Sequence, residues 1–320
     1  MIEMDRISFN SLSSKIRCDL FICSASFEER CLAVASHFPK DSANSVLVCH
    51  YLGPNHKSDS NYEKLMQMFP TKGKEVLLYK NNPLSNYDAL YDAIEAANCK
   101  SVLFDITTLT RETLLIVMVL FRQDKFKDID VSFCYTPAKG YLDTVSEDYS
   151  KLWLTRGVQM TRTVLGLSGF ISTLKKNLLI VLVGIETERA SILINNFEAD
   201  KVYLGYAPSY MSQTDNVAKM NKESFEKLKT KHGDNCEEFE FSCKDISKTK
   251  LAITDIIDKN KDDYNIIISP MNNKLSTIAV GLVALENPSV QVCYASTNQY
   301  NTEAYSSPAD YAYIINPYQY

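Results

Sequence analysis

The chain has 320 residues, long enough for two buried cores at about 150 residues per domain. Hydrophobic residues make up 45% and charged residues 23%, which excludes a largely disordered or collagen-like chain. Lys+Arg 34 against Asp+Glu 39 gives a net charge of −5, without the basic footprint of a dedicated duplex-DNA binder, and 10 glycines are too few for cofactor cradles built on glycine-rich loops.

The first residues, Met-Ile-Glu-Met-Asp-Arg, lack a basic region ahead of an apolar stretch, so no signal peptide is expected. Apolar runs then alternate with segments of helical period. Strands are expected near 18–24, 45–51, 75–80, 100–105 and 129–135, with helices near 27–38, 59–69, 85–97 and 109–123. A second round places strands near 176–184, 201–207, 237–242, 264–269 and 289–295, with helices near 186–197, 214–231, 246–259 and 273–286. Continuous apolar runs such as Val102–Phe104 and Ile266–Ile268 suit parallel strands covered on both faces. Leu114–Phe121 and Leu178–Ile185, the longest apolar runs, have eight residues each, against about 20 for a membrane span. A soluble cytoplasmic protein with no membrane partner is expected. Nine cysteines without a CxxC pair fit free thiols in a reducing compartment. Cys49, His50 and His56 match no zinc spacing, so no metal is expected.

The two rounds are copies of one another. Leu20–Arg30 resembles Leu179–Arg189, and three anchors share one offset: Arg30 and Arg189 (189 − 30 = 159), Phe38 and Phe197 (197 − 38 = 159), Cys134 and Cys293 (293 − 134 = 159). The fold expected is α/β: two tandem duplicated Rossmann-like three-layer domains with mainly parallel sheets, at 1–160 and 170–320. After the fifth strand each copy carries a tyrosine-bearing loop and an extra strand, within Tyr141–Gln159 and Tyr300–Tyr320.

In an open parallel sheet of order 3-2-1-4-5, a ligand sits beyond the carboxyl ends of the first and fourth strands. Both turns are rich in polar groups. At the first, Ser24 precedes Ser26 and Glu29, which read as a capping box worth about 1 kcal/mol. Arg30 places a cation in the first helical turn, where the macrodipole disfavours it by ~0.3–1 kcal/mol. Glu188 and Arg189 repeat that placement. Such an arginine either pairs with a glutamate or helps helix amides hold an anion. The fourth turn brings together Asp105, Thr107, Thr108, Thr110 and Arg111, a set of hydroxyls, amides and guanidinium that suits phosphate or ribose. In copy two the corresponding turn offers Asn272, Asn273 and Lys274. The loop His50–His56 contains no ribose-binding acid, and there is no Walker A lysine, HExxH or GxSxG elbow, so no cofactor is expected.

Asp105-Ile-Thr-Thr-Leu-Thr-Arg111 resembles the Asp-x-Thr-Gly-Gly-Thr-Lys signature of CARF domains, the CRISPR-associated Rossmann-fold sensors, and the related SAVED proteins fuse two such domains. Arg111 stands in for lysine, and Thr108 and Leu109 replace both glycines. The resemblance implies binding of a nucleotide-type anion, of the cyclic oligonucleotide class, as a sensor in prokaryotic antiviral defence. The partners it implies are a second copy or a separate effector protein. The alternative reading is an enzyme acting on a nucleotide or phosphodiester. There Glu28, Glu29 or Asp105 would serve as acid–base groups, and Arg30, Arg111 or Lys274 would stabilise developing charge.

Overall fold

The computed structural model describes residues 2–53, 56–141, 153–233, 236–303 and 306–318, with residues 13–15 described by backbone alone. Two units emerge: residues 1–143 together with 305–320, and residues 144–304. Their boundaries differ from the expected 1–160 and 170–320 because the last strand of the chain belongs to the first sheet.

Unit 1 begins with β1 (Glu3–Ser8) and α1 (Phe9–Lys15), then runs through β2 (Cys18–Ala25), α2 (Ala33–His37), β3 (Ala43–Leu52), α3 (His56–Met68), β4 (Gly73–Tyr79), α4 (Pro83–Ala97), β5 (Ser101–Asp105), α5 (Arg111–Leu120), β6 (Asp130–Tyr135) and β7 (Ala138–Tyr141). Unit 2 follows with β8 (Thr155–Ser168), β9 (Lys176–Leu182), α6 (Thr187–Phe197), β10 (Lys201–Tyr206), α7 (Asp215–His232), β11 (Cys236–Glu240), α8 (Ile246–Asn260), β12 (Tyr264–Pro270), α9 (Lys274–Glu286) and β13 (Gln291–Tyr300). The chain then returns to unit 1 as β14 (Ser306–Pro308) and β15 (Tyr311–Asn316).

The first sheet has the order β1-β15-β6-β5-β2-β3-β4 and the second β11-β10-β9-β12-β13-β8. In each, five parallel strands follow the Rossmann-like order 3-2-1-4-5, with the order reversing between the first and fourth. A sixth, antiparallel strand flanks each fifth strand: β15 lies against β6, with Ile314 opposite Cys134, and β8 lies against β13. β15 reaches the first sheet only after the whole of unit 2, whereas β8 directly precedes β9 of its own sheet. β1 then pairs with β15 from Glu3↔Asn316 to Ser8↔Tyr311.

Burial explains the pattern. β2, β5, β9 and β12 are apolar on both faces and almost fully buried, whereas the edge strands β4 and β11 are largely exposed. The Phe21 ring stacks on Phe38 at 4.3 Å and meets Phe69 edge-on at 5.9 Å, holding the helical layer to β2. α5 and α9, each following a fourth strand, are buried along almost their whole length. The expected helix 27–38 is instead a 3-10 turn (Glu29–Leu32) followed by the short α2. β1 carries Asp5 and Arg6 with four exposed positions, so no alternation marks it as a strand. Much of the expected tyrosine loop over 141–159 lies outside the described residues. No helix among the described residues is long and apolar enough to cross a membrane.

Deleting residues 305–320 strips β6 and β1 of their neighbour in the sheet. Limited proteolysis with mass spectrometry is expected to show cuts appearing within residues 2–141, more than 160 residues away in sequence, while fragments spanning β9–β13 persist.

Candidate functional site

The two turns singled out from the sequence meet at the carboxyl end of the unit 1 sheet. Thr108 Oγ1 donates to the Ser24 carbonyl at 2.9 Å, bringing the β5 turn against the β2 turn where strand order reverses. Thr136, just past β6, joins them. Its amide donates to Thr107 Oγ1 at 2.9 Å, and its carbonyl accepts from Arg30 Nη1 at 3.2 Å. Asp105 is buried and receives the Thr107 amide at 3.0 Å. Ser24, Thr107 and Thr136 are buried too, and the Thr136 hydroxyl has no hydrogen-bond partner among the described residues.

Arg30 does not point at an open crevice. Only 4% of it is exposed; its guanidinium binds Glu28 Oε2 through Nε at 2.9 Å and Nη2 at 2.5 Å. Burial is the largest influence and works against the charge, but the Glu28 carboxylate together with Tyr141 and Tyr135 holds Arg30 above its ordinary value. Glu28 also receives the hydroxyl of Ser306 in β14 at 2.5 Å. An internal ion pair accounts for the cation that the helix dipole disfavours. Ser26 Oγ receives the Glu28 amide at 3.3 Å, so the capping box with Glu29 is not formed, and Glu29 is exposed.

At the fourth turn, Thr110 caps α5 by accepting the Thr113 amide at 3.1 Å, and Thr113 Oγ1 receives the hydroxyl of Tyr51 at 2.7 Å. Arg111 is the first residue of α5 and is half-buried. Glu112 beside it is buried, an acidic residue in the first helical turn. Buried thiols surround this region. Burial pushes Cys31 and Cys49 up to about 12, and Cys23 and Cys134 are raised by burial and then by Asp105. They are protonated and chemically quiet at neutral pH.

Unit 2 repeats the arginine but not the polar turn. Arg189, 5% exposed, donates through Nε to the Ala295 carbonyl at 2.9 Å, and Arg30 to Thr136 and Arg189 to Ala295 span the same 106 residues. The acceptors share the duplication offset (295 − 136 = 159), which extends the internal similarity from sequence to a buried contact. Elsewhere side-chain amides fill the space. Asn272 Nδ2 and Asn221 Nδ2 both donate to the Val183 carbonyl at 2.6 Å, and Asn221 adds Gly184 at 3.0 Å. Asn273 caps α9 and donates to the Cys243 carbonyl at 2.7 Å. Glu188 receives the Gly157 amide of β8 at 3.0 Å, and Glu186 binds the amide and hydroxyl of Thr155. Lys274 is half-buried at the start of α9. The two carboxyl ends are therefore not equivalent. Unit 1 keeps a buried unpartnered hydroxyl beside Asp105, whereas in unit 2 asparagines bind the strand carbonyls.

Sequence reasoning passed over Thr136, Asn221 and Gly184. The duplication offset was the available signal for Thr136, since it sits two residues beyond the Cys134 anchor, as Ala295 does beyond Cys293. A β-carbon on Gly184 would lie 2.2 Å from the Met271 carbonyl oxygen, so only glycine lets the β9 turn approach the β12 turn this closely. A shallow cavity of about 540 Å³ between β4 and α4 includes Glu75 and Asp92 in its lining, acidic groups unsuited to an anion. Among the described residues, no group of three or more His, Cys, Asp or Glu is placed to hold a metal.

No protein-family model and no curated protein matches the chain. It is similar at 11% identity to a universal stress protein from Archaeoglobus fulgidus DSM 4304, over 88% of this chain and 97% of that one, with a TM-score of 0.27. It is similar, also at 11%, to UDP-GlcNAc 2-epimerase from Neisseria meningitidis bound to UDP-GlcNAc, over 78% and 76% of the two chains, with a TM-score of 0.24. A third similarity, at 10% identity and a TM-score of 0.23, is to an adenylation, ketoreductase and pseudo Asub multidomain structure of a keto acid-selecting NRPS module, over 89% of this chain and 30% of that one.

Replacing Arg30 by Met strands the buried Glu28 carboxylate and is expected to cost about 3–5 kcal/mol in urea unfolding. Gly184→Ala is expected to cost about 1–3 kcal/mol through the clash with the Met271 carbonyl. A midpoint unchanged by Arg30→Met would mean that the arginine is not a structural tie.

Proposed function

We propose that unit 1 binds a nucleotide-type small ligand at the carboxyl ends of β2 and β5. The observation that carries this reading is the meeting of both turns at Thr136, where a buried hydroxyl stands without a hydrogen-bond partner among the described residues. Buried hydroxyls without partners are rare, and a ligand or water hydrogen bond is the ordinary explanation. The half-buried Arg111 lies at the start of α5, where helix amides favour an anionic group.

The role is recognition rather than turnover. Glu28 is locked to Arg30 and Ser306, and Asp105 accepts a backbone amide, so neither is set up as a general acid or base. In the CARF-like reading, the ligand is a cyclic oligonucleotide and the output is a signal in antiviral defence, passed to a second copy or a separate effector. The match at Asp105, Thr107, Thr110 and Arg111 supports that reading.

Thermal shift against mono-, di- and cyclic oligonucleotides, with inorganic phosphate as control, tests the proposal. A ligand at 100 times its dissociation constant is expected to add about 2.7 kcal/mol, seen as a raised midpoint. The shift is expected to shrink in Arg111→Ala, which is not part of the Arg30 tie, while inorganic phosphate gives none. Mass spectrometry of the same samples is expected to recover intact ligand; its consumption would establish an enzyme instead. No shift with any nucleotide would overturn the reading.

A further inference from the structure

The carboxyl end of unit 1 is closed. Ser24, Arg30, Asp105 and Thr107 are each no more than 4% exposed, and Thr136, with its unpartnered hydroxyl, is fully buried. A ligand that reaches that hydroxyl requires part of the chain to move.

One short strand lies across the way. β14 pairs with β7, which begins two residues after Thr136, and the two form a sheet of their own that joins neither large sheet. Ser306 lies opposite Tyr141 and Ser307 opposite Gly140, and the register shifts before Pro308 meets Ala138. Strands of four and three residues with no third neighbour are marginal by themselves. Side chains add little grip, since Ala138, Gly140, Ser306 and Ser307 are small, Lys139 is exposed and Tyr141 is half-buried.

β14 is fastened on both sides of the site by polar contacts. On the first-turn side the Ser306 hydroxyl donates to Glu28 Oε2 at 2.5 Å, the same oxygen that holds Arg30. On the fifth-strand side the Ala309 amide donates to the Pro137 carbonyl at 3.0 Å, one residue past Thr136. Between these two fastenings Arg30 binds the Thr136 carbonyl. Releasing Ser306 leaves the Glu28–Arg30 pair intact, so β14 can part from its neighbours without stranding a buried charge. A strand that is short, small in its side chains and fastened by neutral donors belongs to the low-stability end of a fold, from which moving covers are drawn.

We propose that β14 is a strap over the Thr136 site, which opens by parting from β7 and Glu28 while the seven-stranded sheet stays folded. The opening stands on the geometry of unit 1, and the claim that a nucleotide-type ligand enters through it rests on the proposed function.

Amide hydrogen exchange on the full-length protein tests the opening without any ligand. Peptides spanning residues 136–141 are expected to exchange through a local opening that low denaturant does not accelerate, while residues 130–135 exchange only through global unfolding. Ser306→Ala is expected to speed exchange over 136–141 by roughly fivefold, the effect of losing one hydrogen bond to a charged group. Gly140→Cys with Ser307→Cys supplies the converse. The two positions are directly opposite, within disulfide reach, and a β-carbon on Gly140 meets nothing within 4 Å. The oxidised variant is expected to slow exchange over 136–141 to the level of residues 130–135 and to lose the thermal shift given by nucleotides, with reduction restoring both. Exchange of 136–141 only through global unfolding would overturn the strap, as would an equal nucleotide shift in the oxidised and reduced variant. Local opening with no nucleotide shift in the wild type would uphold the strap and remove the nucleotide reading alone.

Discussion

The chain returns to its first sheet, as β15, only after building the whole of unit 2, and much of the polar chemistry of unit 1 follows from that constraint. β15 must reach β6, and β8 must reach β13, each arriving beside the carboxyl ends of the parallel strands. The first-turn acids receive the incoming segments. Glu28 accepts from Ser306 ahead of β15, and Glu186 and Glu188 accept from Thr155 and Gly157 in β8. A carboxylate beside an arginine in a Rossmann-like turn invites a catalytic reading, but in this chain these groups join segments distant in sequence. Arg30 and Arg189 complete the arrangement by binding the carbonyls of Thr136, just past β6, and Ala295, within β13. A buried ion pair such as Arg30–Glu28 adds little net stability over an apolar pair, but it tolerates the loss of neither partner.

Duplication followed by divergence then separates the two carboxyl ends. Unit 2 fills the space near its strand-order reversal with Asn221 and Asn272, whose amides bind strand carbonyls directly. Unit 1 places threonines there instead, which are shorter and leave the Thr136 hydroxyl unmatched. One copy fills this space with its own side-chain amides, and the other leaves one buried hydroxyl without a hydrogen-bond partner among the described residues.

Much of this architecture was legible in the sequence. Apolar runs bounded by helical periods marked the inner parallel strands β2, β5, β9 and β12, because strands buried on two faces have no other way to be written. The offset shared by Arg30 and Arg189 located a structural equivalence that the buried hydrogen bonds repeat. Other features were hidden for definite reasons. A period-two pattern at Tyr311-Ala-Tyr313 indicates a strand without indicating its sheet, so the return of β15 to the first sheet could not be read. β1 is an exposed edge strand with charged side chains and no alternation. The burial of Arg30 depends on Glu28, two residues away, and on Thr136, which is distant in sequence; a first-turn cation looks the same whether it faces a ligand or an internal carboxylate. The exposure of Phe170, Ile171 and Leu174 was also unreadable, since an apolar triplet ahead of an apolar strand reads as core.

Amide hydrogen exchange on the native full-length protein tests the return of β15 to the first sheet most directly. If β15 is an integral strand held between β6 and β1, the amides of residues 311–316 will exchange as slowly as those of residues 130–135, and the two segments will lose protection together as denaturant is raised. Exchange of residues 311–316 at the rate of an unstructured tail, with residues 130–135 still protected, would contradict it.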